Sequence, residues 1–448
     1  MSFDSIPILD LARAQDPSTK PAFLEDLKHT LLEVGFLYIK NAPGVSDELV
    51  QKVIRLGKSF FELPEDKKLE CEMKNAKSFL GYNKLGMEVT RFKTDWREQI
   101  DLSTPDQVPG DDEPLYRNLL GPNLWPDSSA LPEFREVYEE YMQKMGKMSM
   151  WFTSLIAEAI GLPANAFDQF FDGEKQQHKL KIVKYPDLAE LGVEGEAQGV
   201  GPHKDSMLSS YLLQASHHKG LQVQNGNGEW VDCPPIDGTF VVAIGQGMEA
   251  LTQGVCQSTT HRVQSPPRGH GARYSIPFFQ GVSYDASFEA MTVPPEVKKL
   301  REDILARRGG RLDDIEFTFV KGMWSKLGEA TLMNRIKSHP DVSEIWVSSL
   351  FVDIDRHILI MAVPRPSGQD TCRAGRGYSS VSDNSANRSS RKVLLSPCFA
   401  KFQNILAASR MSTIRLSNFE SFFGKSRVHP QSKDWRRWTT EYDIQGLS

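Results

Sequence analysis

Two short stretches of this chain hold the residues best able to do chemistry together. His203-Lys-Asp205 sets an imidazole and a carboxylate two positions apart, and His261 adds a second imidazole later in the chain. In a strand, residues i and i+2 face the same side, so the first pair can enter one cavity. That spacing alone is weak evidence: 10 His and 29 Asp in 448 positions give 10 × 29/448, or about 0.65, such triplets by chance. A second one, His339-Pro-Asp341, serves as a control. Its central proline is hard to place in an interior strand, and it lies beyond the β-rich block, so it is assigned no metal. The weight on His203 and Asp205 comes from their company, because His261 is followed by Arg273-Tyr-Ser275, another i, i+2 pair.

Two imidazoles and one carboxylate on one face of an iron leave positions open for other ligands, the arrangement of non-haem Fe(II) oxygenases. Zinc hydrolysis could use the same donors, but it gives Arg273 and Ser275 no task. A fixed guanidinium grips a carboxylate by paired hydrogen bonds, and a hydroxyl two residues away can add a third, which together make a socket for a dicarboxylate. Taken singly, Arg273 reads as a surface ion pair and His261 as a satisfied core histidine. The ensemble reverses both readings.

The elements that must hold these groups are partly visible in pattern. Ile6-Pro-Ile-Leu-Asp-Leu11 and Phe36-Leu-Tyr-Ile39 read as strands, and Phe23, Leu27, Leu31 and Val34 fall on one helical face between them. Ser46 is a good N-cap, with Asp47 and Glu48 in the first turn of a helix that buries Leu49, Val53, Leu56 and Phe60 and stops at Pro64. A long helical pattern runs from Pro132 to Gly161, and its methionines (Met142, Met145, Met148, Met150) read as core filling. From Lys179 onward short β-rich runs follow one another: 180–185, 207–213, 220–224, 229–231, 239–244 and 273–279, with Asn225-Gly-Asn-Gly228 as a hairpin turn. Such closely spaced strands predict an antiparallel sandwich or jelly roll. Helices return between Pro294 and Arg307.

Composition is that of an ordinary folded protein, 40% hydrophobic and 25% charged with a net charge of -5. No apolar run reaches the ~18 residues of a membrane span, and the first residues lack a secretory pattern. Five scattered cysteines without a CxxC pair suggest neither a disulfide framework nor a cysteine zinc site, and with these features predict a cytoplasmic, reducing setting. Residues 351–448 hold 15 Lys/Arg against 8 Asp/Glu, leaving residues 1–350 with 38 against 50. The Ser379–Ser390 stretch is half serine and reads as disordered. The basic charges of the tail are scattered, and the body is acidic, so no nucleic-acid partner is expected.

With these residues in view, the chain resembles the isopenicillin N synthase-like superfamily of Fe(II)/2-oxoglutarate dioxygenases over roughly residues 5–345, with a fungal flavour. The first half is similar through Ile6–Leu11, Phe60-Phe-Glu-Leu-Pro64, Gly81-Tyr82, Asp95-Trp-Arg-Glu98 and Gly121-Pro-Asn-Leu-Trp-Pro126. The second half is similar through Lys184-Tyr-Pro186, His203-x-Asp205, Gly220-Leu-Gln-Val223, Trp230–Pro235, Ser258-Thr-Thr-His-Arg-Val263 and Arg273-Tyr-Ser-Ile-Pro-Phe278. Departures are Gly245-Gln246 where relatives often have Gly-Asp, Val183 for a common Asn, and Lys204 for a common Thr.

The resemblance implies mixed α and β structure around a double-stranded β-helix, or jelly roll, flanked by helices. Along the chain it implies an N-terminal non-haem dioxygenase region (1–130), a long helical segment (131–175), the catalytic jelly roll (176–284), C-terminal helices (285–345) and a Ser-rich, basic, disordered tail (346–448). It implies Fe(II) on His203, Asp205 and His261, and 2-oxoglutarate held by Arg273, Ser275 and Tyr185, with O2 as oxidant and ascorbate in keeping as an accessory reductant. Oxidative decarboxylation to succinate would drive hydroxylation, desaturation or ring formation on a small molecule, as in specialised metabolism. Tyr82, Arg91 and Phe279 are candidate substrate contacts. Two other readings stay open: an iron oxidase that takes its electrons from the substrate alone, as isopenicillin N synthase does, and a non-catalytic ligand-binding scaffold. Oligomeric state is not legible.

Overall fold

The computed structural model describes residues 3–90, 93–173, 176–287, 290–307 and 325–346. In chain order the strands are β1 (Ile8–Asp10), β2 (Phe36–Lys40), β3 (Gly81–Asn83), β4 (Val89–Thr90), β5 (Lys93–Thr94), β6 (Glu98–Ser103) and β7 (Lys179–Tyr185). There follow β8 (Gln198–His203), β9 (Ser209–Gln214), β10 (Leu221–Gln224), β11 (Trp230–Asp232), β12 (Thr239–Ile244), β13 (His261–Gln264) and β14 (Arg273–Gln280). The larger sheet has the order β1-β2-β12-β9-β14-β7-β6-β3, the smaller one β11-β10-β13-β8, and β4 pairs with β5. Neighbours jump along the chain, and the ladders other than β1–β2 are antiparallel, which is jelly-roll connectivity.

Strand alternation builds two cores. Val183 and Tyr185 of β7, Val200 of β8, Val223 of β10, Val241 of β12 and Val263 of β13 point between the two sheets. The intervening residues, such as Leu180 and Ile182 of β7 and Ile276 and Phe278 of β14, point the other way into a larger core under the helices. Each such side chain contributes roughly 1.5–3 kcal/mol on full burial.

The helices form where the pattern predicts. Lys20–Glu33 buries Phe23, Leu27 and Leu31. Asp47–Glu62 is capped by Ser46, whose Oγ accepts from the Leu49 N–H at 3.3 Å, and it buries Leu49, Val53, Leu56 and Phe60. Gly57 lets it sit close, since a Cβ there would lie 2.6 Å from the Tyr138 hydroxyl. Phe134–Ala159 buries Met142, Met145 and Met148 in the helix-side core. Pro295–Arg307, Leu327–Ser338 and Pro340–Trp346 follow the barrel.

Six strands, β3 to β6, β8 and β13, lie outside the runs that pattern marks. β6 carries polar Gln99, Asp101 and Ser103 on alternate positions, all buried. β8 contains Gly199, Gly201 and Pro202, poor strand formers that are tolerated because β8 is the outermost strand of the smaller sheet. The tail expected after residue 346 lies outside the described residues. No helix among the described residues is long and apolar enough to cross a membrane.

Candidate functional site

His203 and His261 meet because β8 and β13 are antiparallel neighbours and these two residues are register partners. Their rings lie 4.2 Å apart, centroid to centroid. Asp205 is delivered differently from the i, i+2 strand expectation. The strand ends at His203, and Asp205 sits in the turn beyond it, its backbone carbonyl accepting from the Gln246 N–H at 2.7 Å. Gly245 makes this approach possible, because a Cβ there would fall 1.9 Å from the Met207 carbonyl oxygen. Lys204 turns away, its Nζ 4.0 Å from Glu249.

Asp205 Oδ1 lies 3.7 Å from His203 Nε2 and 3.8 Å from His261 Nε2. One donor atom from each of the three lies within 4.8 Å of the others, the one such group among the described residues. Both rings are oriented by the same device: His203 Nδ1 donates to the Gly201 carbonyl at 2.8 Å and His261 Nδ1 to the Thr259 carbonyl at 3.1 Å. With Nδ1 protonated, each Nε2 lone pair is free to face the centre. Desolvation, then the neighbouring His261, holds His203 below the ordinary imidazole range, favouring the neutral ligand form. Ser210 Oγ donates to Asp205 Oδ2, leaving Oδ1 toward the histidines. These donors, two imidazoles and one carboxylate, suit a divalent iron with open positions.

Arg273 is 1% exposed, on β14 opposite Tyr185 of β7. Its guanidinium lies 5.0 Å from the Tyr185 ring centre. Nη2 donates to Gln214 Oε1 at 3.3 Å, while Nε and Nη1 have no hydrogen-bond partner among the described residues. Desolvation pulls its pKa below the usual arginine range, only partly offset by Tyr185. A buried guanidinium with two idle nitrogens is costly unless an anion completes it. Ser275, 1% exposed, follows on the same face. Tyr185 is packed toward the metal strand, since a Cβ on Gly199 of β8 would meet its ring at 2.8 Å.

The remaining candidates are placed as follows. Phe279 shares the Arg273 and Ser275 face of β14, is half-buried, and is the register partner of Ser210, which holds Asp205. Tyr82 lies in the helix-side core: its hydroxyl donates to Glu98 at 2.7 Å, and its ring packs on Phe60. Arg91 lies outside the described residues. The control histidine, His339, is fully buried at the junction of the last two helices, 2.9 Å from Glu88, and takes no part in the three-donor group. Immediately after Asp205, residues Ser206, Met207 and Leu208 line an apolar cavity together with Val282, Tyr284 and Leu327.

Comparison with known proteins agrees with this geometry. Residues 6–128 match the family model described as the N-terminal region of non-haem dioxygenases in morphine synthesis, and residues 177–282 match that of the 2OG-Fe(II) oxygenase superfamily. The chain is 73% identical over 346 residues to the 2-oxoglutarate-dependent dioxygenase frbJ of Dothideomycetidae sp. (strain 11243), covering 77% of this chain and 93% of that protein. This chain belongs to the 2OG-Fe(II) oxygenase superfamily. A second fungal relative of this superfamily, a 2-oxoglutarate-dependent dioxygenase of Gibberella zeae, is 37% identical and covers 78% of this chain and 93% of its own. Among solved structures, a full-length Neurospora crassa protein in complex with alpha-KG and thymine superposes with a TM-score of 0.56 at 26% identity, covering 67% of this chain and 97% of that one. The chain is therefore a 2-oxoglutarate-dependent dioxygenase with a jelly-roll core, an oxidoreductase whose cofactors are Fe(II), 2-oxoglutarate and O2.

Residue spacing held no hint of Ser210, Gln214 or Asp95, each of which bonds to a site residue or to the backbone beside one. Asp95 falls within the Asp95-Trp-Arg-Glu98 motif, but its role depends on tertiary contacts that no local pattern encodes.

Proposed function

We propose that His203, Asp205 and His261 hold Fe(II) and that Arg273 and Ser275 bind the distal carboxylate of 2-oxoglutarate, with Tyr185 as the floor. Bound Fe(II) with 2-oxoglutarate supplies oxidative decarboxylation to succinate and CO2, coupled to oxidation of a C–H bond. The protein's own part is positional. The Gly201 and Thr259 carbonyls keep both imidazoles aimed, Ser210 keeps one carboxylate oxygen on the metal side, and Arg273 fixes the cosubstrate at the opposite end. The substrate is a small molecule placed near Phe279 and the apolar residues that follow Asp205. Hydroxylation is the default outcome, and the fungal relatives support a place in specialised metabolism.

The observation that carries this reading is the convergence of the three donors, each pre-aimed by its own backbone or hydroxyl partner. Its test is an anaerobic titration of the full chain with Fe(II) and 2-oxoglutarate, read as a visible charge-transfer band, followed by succinate release on admitting O2. The wild type should give both, and His203→Ala should lose the band and at least ~100-fold of the succinate. Substrate oxidation without matching succinate would assign the chain to the substrate-powered oxidases instead. No band in the wild type would leave only a ligand-binding scaffold.

A further inference from the structure

We infer that Asp95 is a positioning residue for the metal ligand His203, acting through the backbone of Gly201; the inference rests on the proposed role of His203 in holding Fe(II). β8 is the outermost strand of its sheet, so among the described residues its outer edge has no neighbouring strand to accept its N–H groups. Gly201 is buried and lies in the irregular stretch between the His203–His261 and Val200–Val263 register pairs. A buried N–H without an acceptor costs free energy comparable to a lost hydrogen bond. The acceptor here is a side chain: Asp95 Oδ1 takes the Gly201 N–H at 3.1 Å. Across the same residue, the Gly201 carbonyl takes the His203 Nδ1–H at 2.8 Å. One glycine thus joins a buried carboxylate to the ring that faces the metal.

Asp95 is itself held from three other sides. It is 0% exposed. Oδ1 also accepts from Gln198 Nε2 at 2.8 Å, Oδ2 accepts from Thr90 Oγ1 at 2.6 Å, and the Arg97 guanidinium lies 3.7 Å away. The neighbouring Trp96 N–H donates to the Gln198 carbonyl at 2.8 Å, so the segment carrying Asp95 lies along the edge of β8. The fit depends on Gly201 being glycine, because a Cβ there would come 2.8 Å from the Thr90 methyl. His261, on an inner strand, is oriented without a carboxylate: its Nδ1 goes to the Thr259 carbonyl, and Thr259 Oγ1 goes to the Val34 carbonyl. The edge position explains why one histidine needs an acidic buttress and the other does not.

The test compares Asp95→Ala, Asp95→Asn and wild type in the full chain. Three quantities are measured at a temperature where circular dichroism shows all three folded: the Fe(II) dissociation constant by anaerobic titration, the position and intensity of the charge-transfer band, and 2-oxoglutarate affinity of the metal-loaded protein. Removing a partner of this rank typically costs roughly 10–100-fold in metal affinity. Asp95→Ala should weaken Fe(II) binding by about ten-fold or more and alter the band, while 2-oxoglutarate affinity, set at Arg273, stays within about three-fold. Asp95→Asn keeps an oxygen for the Gly201 N–H and should restore Fe(II) affinity to within about three-fold of wild type. Folded Asp95→Ala with unchanged Fe(II) affinity and band overturns the inference. If the alanine variant does not fold, Asp95→Asn decides alone, and a loss of about ten-fold there overturns it, since the acceptor is still present. A wild-type chain that takes up no Fe(II) overturns the proposed function and this inference with it. Wild-type binding with an indifferent Asp95→Ala overturns this inference alone.

Discussion

Two buried arginines interact with Tyr185, and they are solved in opposite ways. Arg97 lies in a lattice of charge: its guanidinium pairs with Glu88 and lies 3.7 Å from Asp95, while Glu88 also receives Lys181 at 3.2 Å. Against the cost of desolvation, Glu88 and then Asp95 hold Arg97 above the ordinary arginine range. Arg273 pairs with no acid among the described residues, only with Gln214 and the Tyr185 ring, and desolvation lowers it. The difference separates structure from reception. A buried cation whose charge is answered inside the chain is part of the scaffold, whereas one left unanswered is built for a visiting anion.

The comparison breaks most visibly at Arg97. Arg97→Met should strand Glu88 and Asp95 and cost about 3 kcal/mol of stability, the low end of the range for a broken buried pair because Lys181 still holds Glu88. Thermal and urea unfolding would measure it, with half-saturating 2-oxoglutarate changed by no more than about three-fold in the folded fraction. Arg273→Met should show the inverse. Stability should move by less than about 1 kcal/mol, while half-saturating 2-oxoglutarate rises roughly a hundredfold, about 2.7 kcal/mol, as succinate kinetics would report. Equal stability losses in the two variants would erase the distinction.

His178 extends the comparison to a third buried base, which like Arg273 has no acid beside it among the described residues. It is 4% exposed, its Nε2 has no partner among the described residues, and burial pushes it down to about 3. Unfolded, its pKa is ordinary, so between about pH 6.5 and 3 the unfolded chain binds a proton that the folded chain refuses, and stability falls as pH falls through that window. The contribution is on the order of 2 kcal/mol between about pH 6.5 and 5. His178→Gln should remove that part of the slope, seen as a smaller drop in Tm from about pH 7 to pH 5 than in wild type. The smallest effect is expected at Ser275. Ser275→Ala removes one neutral donor beside the carboxylate socket and should raise half-saturating 2-oxoglutarate about five-fold, near 1 kcal/mol, leaving Fe(II) affinity unchanged.

What was legible in the letters follows the same division. His203, Asp205, His261, Arg273 and Ser275 could be picked out because they occur together, two paired i, i+2 motifs and a second histidine within one β-rich block, although each pair alone is common. The jelly roll was legible from alternation in the strands from Lys179 to Gln280. The i, i+2 argument picked a pair that the structure brings together, but through the wrong local structure, since Asp205 lies past the end of its strand. β8 was hidden by Gly199, Gly201 and Pro202, and β6 by the polar face it buries against Lys181 and Arg335. Such a face is stabilised by partners far away in sequence, as Asp101 with Lys181 and with Arg335 at 2.8 Å shows, so no local window contains the reason for it. Tyr82 illustrates the converse: a tyrosine beside a family motif whose hydroxyl is spent on Glu98.

The cavity behind Asp205 takes part of its lining from Leu327 and Thr331, on a helix that begins well past residue 282, where the match to the oxygenase family model ends. The three donors and part of this cavity's lining are thus encoded in separate stretches of gene. Mutation can redraw that lining while leaving the three donors and Arg273 untouched, so under the proposed function relatives with the same donors are free to diverge in what they oxidise.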